Sequence, residues 1–117
     1  MVSEVKNIMS TEIFDLENYR PEDYESFSFL ITVRVGPKGE DSSEIFYLDI
    51  CTPKWLLSNQ HDDFIIGKGK LIVFKCDMKI ILKRIRQLFD GCSGKDWNEI
   101  ALKLSRIGSW EFEDYSG

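Results

Sequence analysis

The chain carries little with which to do covalent chemistry. Among its 117 residues there is one histidine, His61. Its three cysteines, Cys51, Cys76 and Cys92, are odd in number, far apart and free of any Cys-x-x-Cys pair. That spacing excludes a disulfide framework and matches no common zinc pattern, so reduced, buried thiols are expected. No apolar run approaches the ~20 residues that cross a bilayer. The first residues lack the charged start, apolar stretch and small-residue cleavage site of an export leader. A cytoplasmic protein without a membrane partner is the expectation. Gly67-Lys68-Gly69-Lys70 lacks the spacing and the Ser or Thr of a phosphate-binding loop and reads as a turn. Neither an internal repeat nor a low-complexity tract is present.

What is there suits a packed protein: 43% apolar residues, 13% aromatic residues and 30% charged residues exceed what a core-poor, disordered chain would show. The length fits one domain, residues 1–117. A net charge of −5 disfavours a nucleic-acid partner, because affinity for phosphate backbones comes from lysines and arginines. An acidic chain more naturally meets a basic protein.

Along the chain, residues 2–9 read as a first strand. Residues 11–25 hold six carboxylates, Glu12, Asp15, Glu17, Glu22, Asp23 and Glu25, against Arg20 alone, with Ile13, Phe14, Leu16, Tyr19 and Tyr24 between them. This is too aromatic for a disordered tail, and Pro21 argues against a continuous helix, so an ordered acidic loop is expected. Residues 27–35 and 45–51 alternate. Phe27, Phe29, Ile31, Val33 and Val35 share one face of the first; Ile45, Tyr47 and Asp49 share one face of the second, with Phe46, Leu48 and Ile50 on the other. The intervening Gly36-Pro37-Lys38-Gly39 is turn chemistry, which predicts an antiparallel hairpin whose second strand is covered on both sides. Pro53 after Thr52 opens a short helix.

Leu71, Ile72, Val73 and Phe74 form a further strand. Asp77 is placed to cap a helix in which Met78, Ile81, Leu82, Ile85, Leu88 and Phe89 make one apolar stripe, with Lys79, Lys83 and Arg86 opposite and Gly91 as the stop. Asp96 with Glu99 makes a capping box for a second helix that buries Trp97, Ile100, Ala101, Leu104 and Ile107 and ends at Gly108. Residues 109–115 alternate as a final short strand. The fold class is therefore α+β: an antiparallel sheet covered on one face by two helices from the C-terminal half.

Polar clusters each have a plain alternative. His61 beside Asp62 and Asp63 could serve as base or ligand, but neighbouring side chains diverge on most backbones, and a solvated loop explains the run. Glu111 and Glu113 alternate onto one exposed strand face and suit a partner-facing surface better than a catalytic pair. Lys68, Lys70, Lys75, Lys79, Lys83, Arg84 and Arg86, opposed only by Asp77, form a basic region that could adapt to nucleic acid or simply be a solvated helix face. Trp110 and Phe112 suit core packing. No cofactor and no metal is implied.

Four blocks carry a resemblance: Asp15-Leu16-Glu17-Asn18-Tyr19-Arg20-Pro21-Glu22-Asp23, Cys51-Thr52-Pro53-Lys54-Trp55-Leu56-Leu57, Gly94-Lys95-Asp96-Trp97, and the ending from Leu104-Ser105-Arg106 through Trp110-Glu111-Phe112-Glu113-Asp114-Tyr115. Together they resemble the Immunity protein 8 family, whose members are encoded beside bacterial polymorphic toxins. The resemblance implies a catalytically inert antidote that binds the C-terminal domain of a cognate toxin; the acidic charge, separately, would suit the basic groove of a nuclease. The residues suited to that contact are Asp15, Glu17, Tyr19, Glu22, Asp23 and Tyr24, with Glu111, Glu113 and Asp114, since aromatic anchors beside charges are typical of interface hot spots. Two other readings stay open: an enzyme or small-molecule binder built on His61 and nearby acids, and a nucleic-acid adaptor built on the Lys68-to-Arg86 region.

Overall fold

A computed structural model describes residues 1–59 and 61–113. The elements in chain order are β1 (Ser3–Met9), β2 (Ser28–Pro37), β3 (Glu44–Cys51), α1 (Pro53–Asn59), β4 (Lys70–Ile72), α2 (Met78–Phe89), α3 (Trp97–Leu104) and β5 (Ser109–Trp110). They form an α+β fold around one five-stranded mixed sheet.

The β2–β3 hairpin is its centre, in register from Ser28 opposite Cys51 to Val35 opposite Glu44. Alternation along β2 sends Phe29, Ile31, Val33 and Val35 to one face, where Phe46, Leu48 and Ile50 of β3 join them. Against that face lie Met78, Ile81, Ile85 and Phe89 of α2 and Ile100, Ala101 and Leu104 of α3, all in one buried cluster. Both helices begin as their side chains dictate. The carboxylate of Asp77 accepts the Ile80 N–H, and that of Asp96 accepts the Glu99 N–H, while the Glu99 carboxylate returns to the Lys95 N–H. After α2 the chain turns through Gly91 at φ +74°, a conformation that glycine adopts without strain.

Two expectations need correction. The sheet is not wholly antiparallel: β4 runs parallel to β3, Asp49 opposite Lys70 and Cys51 opposite Ile72. The link from β3 to β4 is a crossover through the expected helix, α1, and the following loop, which lets the chain re-enter in the same direction. Nor is β3 covered on both sides, since Ile45 and Asp49 are half-buried and Tyr47 is exposed.

β3 shares its second edge between two strands. β4 takes the C-terminal half and β5 the N-terminal half, with Phe46 opposite Trp110 and Tyr47 opposite Ser109. Gly69 sits at the junction: its C=O accepts from Asp49 N–H and its N–H donates to Ile107 C=O. Its φ is +77°, and a Cβ there would come within 3.0 Å of the Ser109 Oγ. The final strand stops at Trp110 and turns, Glu113 N–H donating to Trp110 C=O, so the expected alternation through residue 115 is not realised in the described part. Residues 114 and 115 lie outside the described residues.

The far edge of the sheet is covered along the first half of β1. β1 receives the α2–α3 connection along its outer side: Ser3 N–H donates to Cys92 C=O, Gly91 N–H to Ser3 C=O, and Val5 N–H to the Asp90 carboxylate at 2.6 Å. The buried Ser3 hydroxyl completes this joint, donating to Phe89 C=O and accepting from Cys92 N–H. Beyond the end of β1, the Glu12 carboxylate accepts the Leu30 N–H, standing where a strand would have continued.

Candidate functional site

The acidic loop, residues 10–27, is ordered by a few inward side chains. Leu16 and Phe27 are buried, Pro21 is buried, and Tyr19 packs edge-on against Phe29 at 5.1 Å. These anchors press the loop against β2 and the start of α2. Thr52 ties down its far end, its buried hydroxyl accepting from Phe27 N–H and from Trp55 N–H, where it also caps α1. Asp23 closes a local turn by accepting the Glu25 N–H.

With the apolar members inside, the carboxylates face out. Asp15, Glu17, Glu22 and Asp23 are all exposed. Asp15 accepts from the Asn18 side chain, and Asp23 lies 3.6 Å from Lys54. The Glu25 N–H and Lys54 hold the Asp23 carboxyl below the usual range against a modest burial effect. Glu17 and Glu22 have no ion-pair partner among the described residues. Burial raises the Tyr19 hydroxyl above its ordinary pKa, with Cys76, Glu12 and Glu22 adding in the same direction. Tyr24 is 45% exposed, available as an aromatic contact beside the acids.

The loop runs along one flank of α2. A hollow of about 440 Å³ lies between Ile8, Ile13, Leu82, Glu17 and Arg86, and another of about 350 Å³ between Glu17, Tyr19, Tyr24, Cys76 and Lys79. Acidic loop and basic helix, which the sequence offers as rival surfaces, are thus neighbours. Glu17 borders both hollows.

One residue in this site escapes a sequence reading. Phe14 is fully exposed, next to Asp15. In the adjacent pair Ile13-Phe14 only one side chain turns inward, and Ile13 packs against the core. Two neighbouring apolar residues in an acidic loop were the available signal; which of them faces water depends on the fold.

The C-terminal acids are otherwise placed. The Glu111 carboxylate accepts the Ile45 N–H while the Glu111 N–H donates to Ile45 C=O, extending the β5–β3 ladder. Glu113 pairs with Lys68. Both are engaged within the fold and, because β5 ends at Trp110, they do not share the exposed strand face expected of them; Asp114 lies outside the described residues. His61 is exposed and borders a shallow hollow with Trp55, Phe64 and Lys70. Cys51, Cys76 and Cys92 are free thiols, and no group of three His, Cys, Asp or Glu side chains able to hold a metal occurs among the described residues. Burial raises the Cys51 and Cys76 thiols above their ordinary pKa. No helix among the described residues is long and apolar enough to cross a membrane.

This geometry offers an ordered surface of exposed carboxylates, of which Glu17 and Glu22 have no ion-pair partner among the described residues, beside exposed rings. Compared with known proteins, the chain matches no curated protein and no solved structure. A family model described as Immunity protein 8 matches residues 3–115. A match across nearly the whole chain shows that the protein belongs to the Immunity protein 8 family.

Proposed function

We propose that this protein neutralises a cognate bacterial toxin by binding its C-terminal toxic domain directly in the cytoplasm, without catalysis of its own. Family membership supports the immunity role. The observation that carries the choice of surface is the acidic loop, where Asp15, Glu17, Glu22 and Asp23 are exposed around the outward rings of Phe14 and Tyr24.

Inhibition by binding needs a surface already in its bound shape, because ordering a loop on contact subtracts from affinity. Leu16, Tyr19, Pro21 and Phe27 supply that order in advance. The carboxylates then steer a basic target at a distance, and the rings supply desolvated contact once it arrives. A nuclease fits this chemistry, since a groove that holds phosphates is basic and carboxylates can occupy it. Glu111 and Glu113 contribute less in this reading, as their charges are already used within the fold.

The test is co-expression with the toxin encoded in the adjoining reading frame. Rescue of growth together with a stable complex, both lost on reversing charge at Asp15, Glu17, Glu22 and Asp23 in a folded variant, is the expected result. Rescue without any complex, or rescue that depends on His61, would defeat it.

A further inference from the structure

The two sheet edges are treated differently. The first half of β1 is covered by the α2–α3 connection, whereas β4 has no strand on its outer side among the described residues. In this parallel pair Gly69 C=O accepts from Asp49 N–H and Val73 N–H donates to Cys51 C=O. Bonds to β3 therefore fall on alternate residues, and the N–H and C=O of Ile72 point away from the sheet. Beside that edge lies a groove of about 350 Å³, bordered by Leu71, Ile72, Phe74, Ile80, Ile81 and Arg84. Ile81 and Leu71 reach the core, but three apolar members face out: Phe74 is 81% exposed, Ile80 62% and Ile72 44%.

The helical repeat sets this groove apart from the acidic loop. Lys79, Leu82 and Arg86 lie on the flank of α2 facing the loop, while Ile80 and Arg84, four residues apart, lie on the other flank facing β4. The rim is basic. Lys75 and Arg84 border the groove without an acidic ion-pair partner among the described residues, and the only carboxylate there, Asp77, is occupied capping α2. Lysines at an exposed edge ordinarily discourage pairing with another chain. Here Lys70 of β4 and Lys68 just before it are drawn off, Lys68 to Glu113 and Lys70 to Asp49, which leaves the edge less guarded.

We infer that β4 and the Ile80 flank of α2 form a second docking surface, which takes an extended acidic segment of a partner protein as an added strand. Main-chain bonds to Ile72 would supply affinity, apolar side chains would fill the groove, and carboxylates would meet Lys75 and Arg84. Charge selects this occupant: Lys75 and Arg84 at the rim oppose a basic segment and favour an acidic one. The surface lies outside the proposed toxin-facing loop and stands or falls independently of it.

The probe is a capped eight-residue peptide alternating glutamate and valine, with a lysine–valine peptide of the same length as control. Titration into the isotope-labelled protein should move amide resonances of Ile72, Phe74, Ile80 and Arg84 with the acidic peptide only. Ile72→Pro removes an outward N–H that β3 does not use; it should keep the thermal transition and weaken binding by up to about tenfold, the scale of one main-chain hydrogen bond. The pair Lys75→Glu and Arg84→Glu should reverse the peptide preference, and carries the test should Ile72→Pro fail to fold. Equal binding of the two peptides, shifts confined to residues 12–25, or unchanged affinity in the folded Ile72→Pro variant would each overturn the proposal. So would a concentration-dependent dimer that occupies the edge, or a single-stranded oligonucleotide that binds the same residues more tightly than the acidic peptide.

Discussion

Trp97 and Trp110 donate their indole N–H groups to one and the same oxygen, Oε1 of Glu44, at 2.6 and 3.2 Å. Glu44 opens β3, Trp97 opens α3 and Trp110 ends β5, so a single carboxylate ties the sheet to the last helix and the last strand. Trp110 stacks on Phe46 at 6.4 Å, and Phe46 meets Phe89 of α2 at 5.7 Å, which carries the joint into the core.

Replacing Glu44 should therefore expose its role by contrast. Glu44→Ala leaves two half-buried donors without an acceptor and should cost about 1–3 kcal/mol in denaturant unfolding, whereas Glu44→Gln keeps an acceptor oxygen and should recover most of it. Equal losses in the two variants would mean that the charge, not the shared acceptor, matters. Trp110→Ala removes both the ring stack and one of the donors, and should cost about 3 kcal/mol.

This joint shows how far the sequence could be read. Asp77 and Asp96 were recognisable caps because a cap acts on its own helix, two or three residues away. The β2–β3 hairpin was recognisable because strict alternation in two runs joined by a short polar connection has few other solutions, although Gly36 and Pro37, expected in the turn, end β2 opposite β1. The parallel placement of β4 and the truncation of β5 were not, since both depend on which half of β3 each strand claims. Glu44 and Trp110 are sixty-six positions apart, and nothing local marks them as partners. The acidic loop was legible as charge, but not its contact with α2 nor the outward turn of Phe14, which arise only when Ile13 and Leu16 take the inner places.

Charge reversal at Asp15, Glu17, Glu22 and Asp23 should slow association with the toxin and flatten its dependence on salt. Stability should stay within about 0.5 kcal/mol, because exposed charges contribute little; even the Asp23–Lys54 pair is more than half exposed on both sides. Stopped-flow association at several salt concentrations, beside thermal unfolding, separates the two effects. An unchanged rate would remove the loop from the encounter.

Phe14→Ala should act on the other rate. A ring that touches only water in the free protein supports no fold, so unfolding should be unaltered while dissociation of the complex quickens. If Phe14→Ala instead destabilises the free protein, the ring is not presented as described and loses its place as an anchor.

Alkaline pH should weaken the fold through three groups that share one sign. Burial raises the pKa of Cys51, Cys76 and Tyr19. Each then holds its proton more firmly when folded than when unfolded, so its contribution is complete below the unfolded pKa, about 8.5 for a thiol and 10 for a tyrosine, and is lost as pH rises through the folded value. Unfolding midpoints should thus fall above about pH 8.5, and Cys51→Ala should make that fall shallower than in the parent protein. Alkylation should agree: Cys51, only 1% exposed, should react with iodoacetamide far more slowly in the folded protein than in denaturant, where all three thiols become available. A folded-state Cys51 that reacts as fast as the unfolded one would show that its thiol is neither buried nor raised.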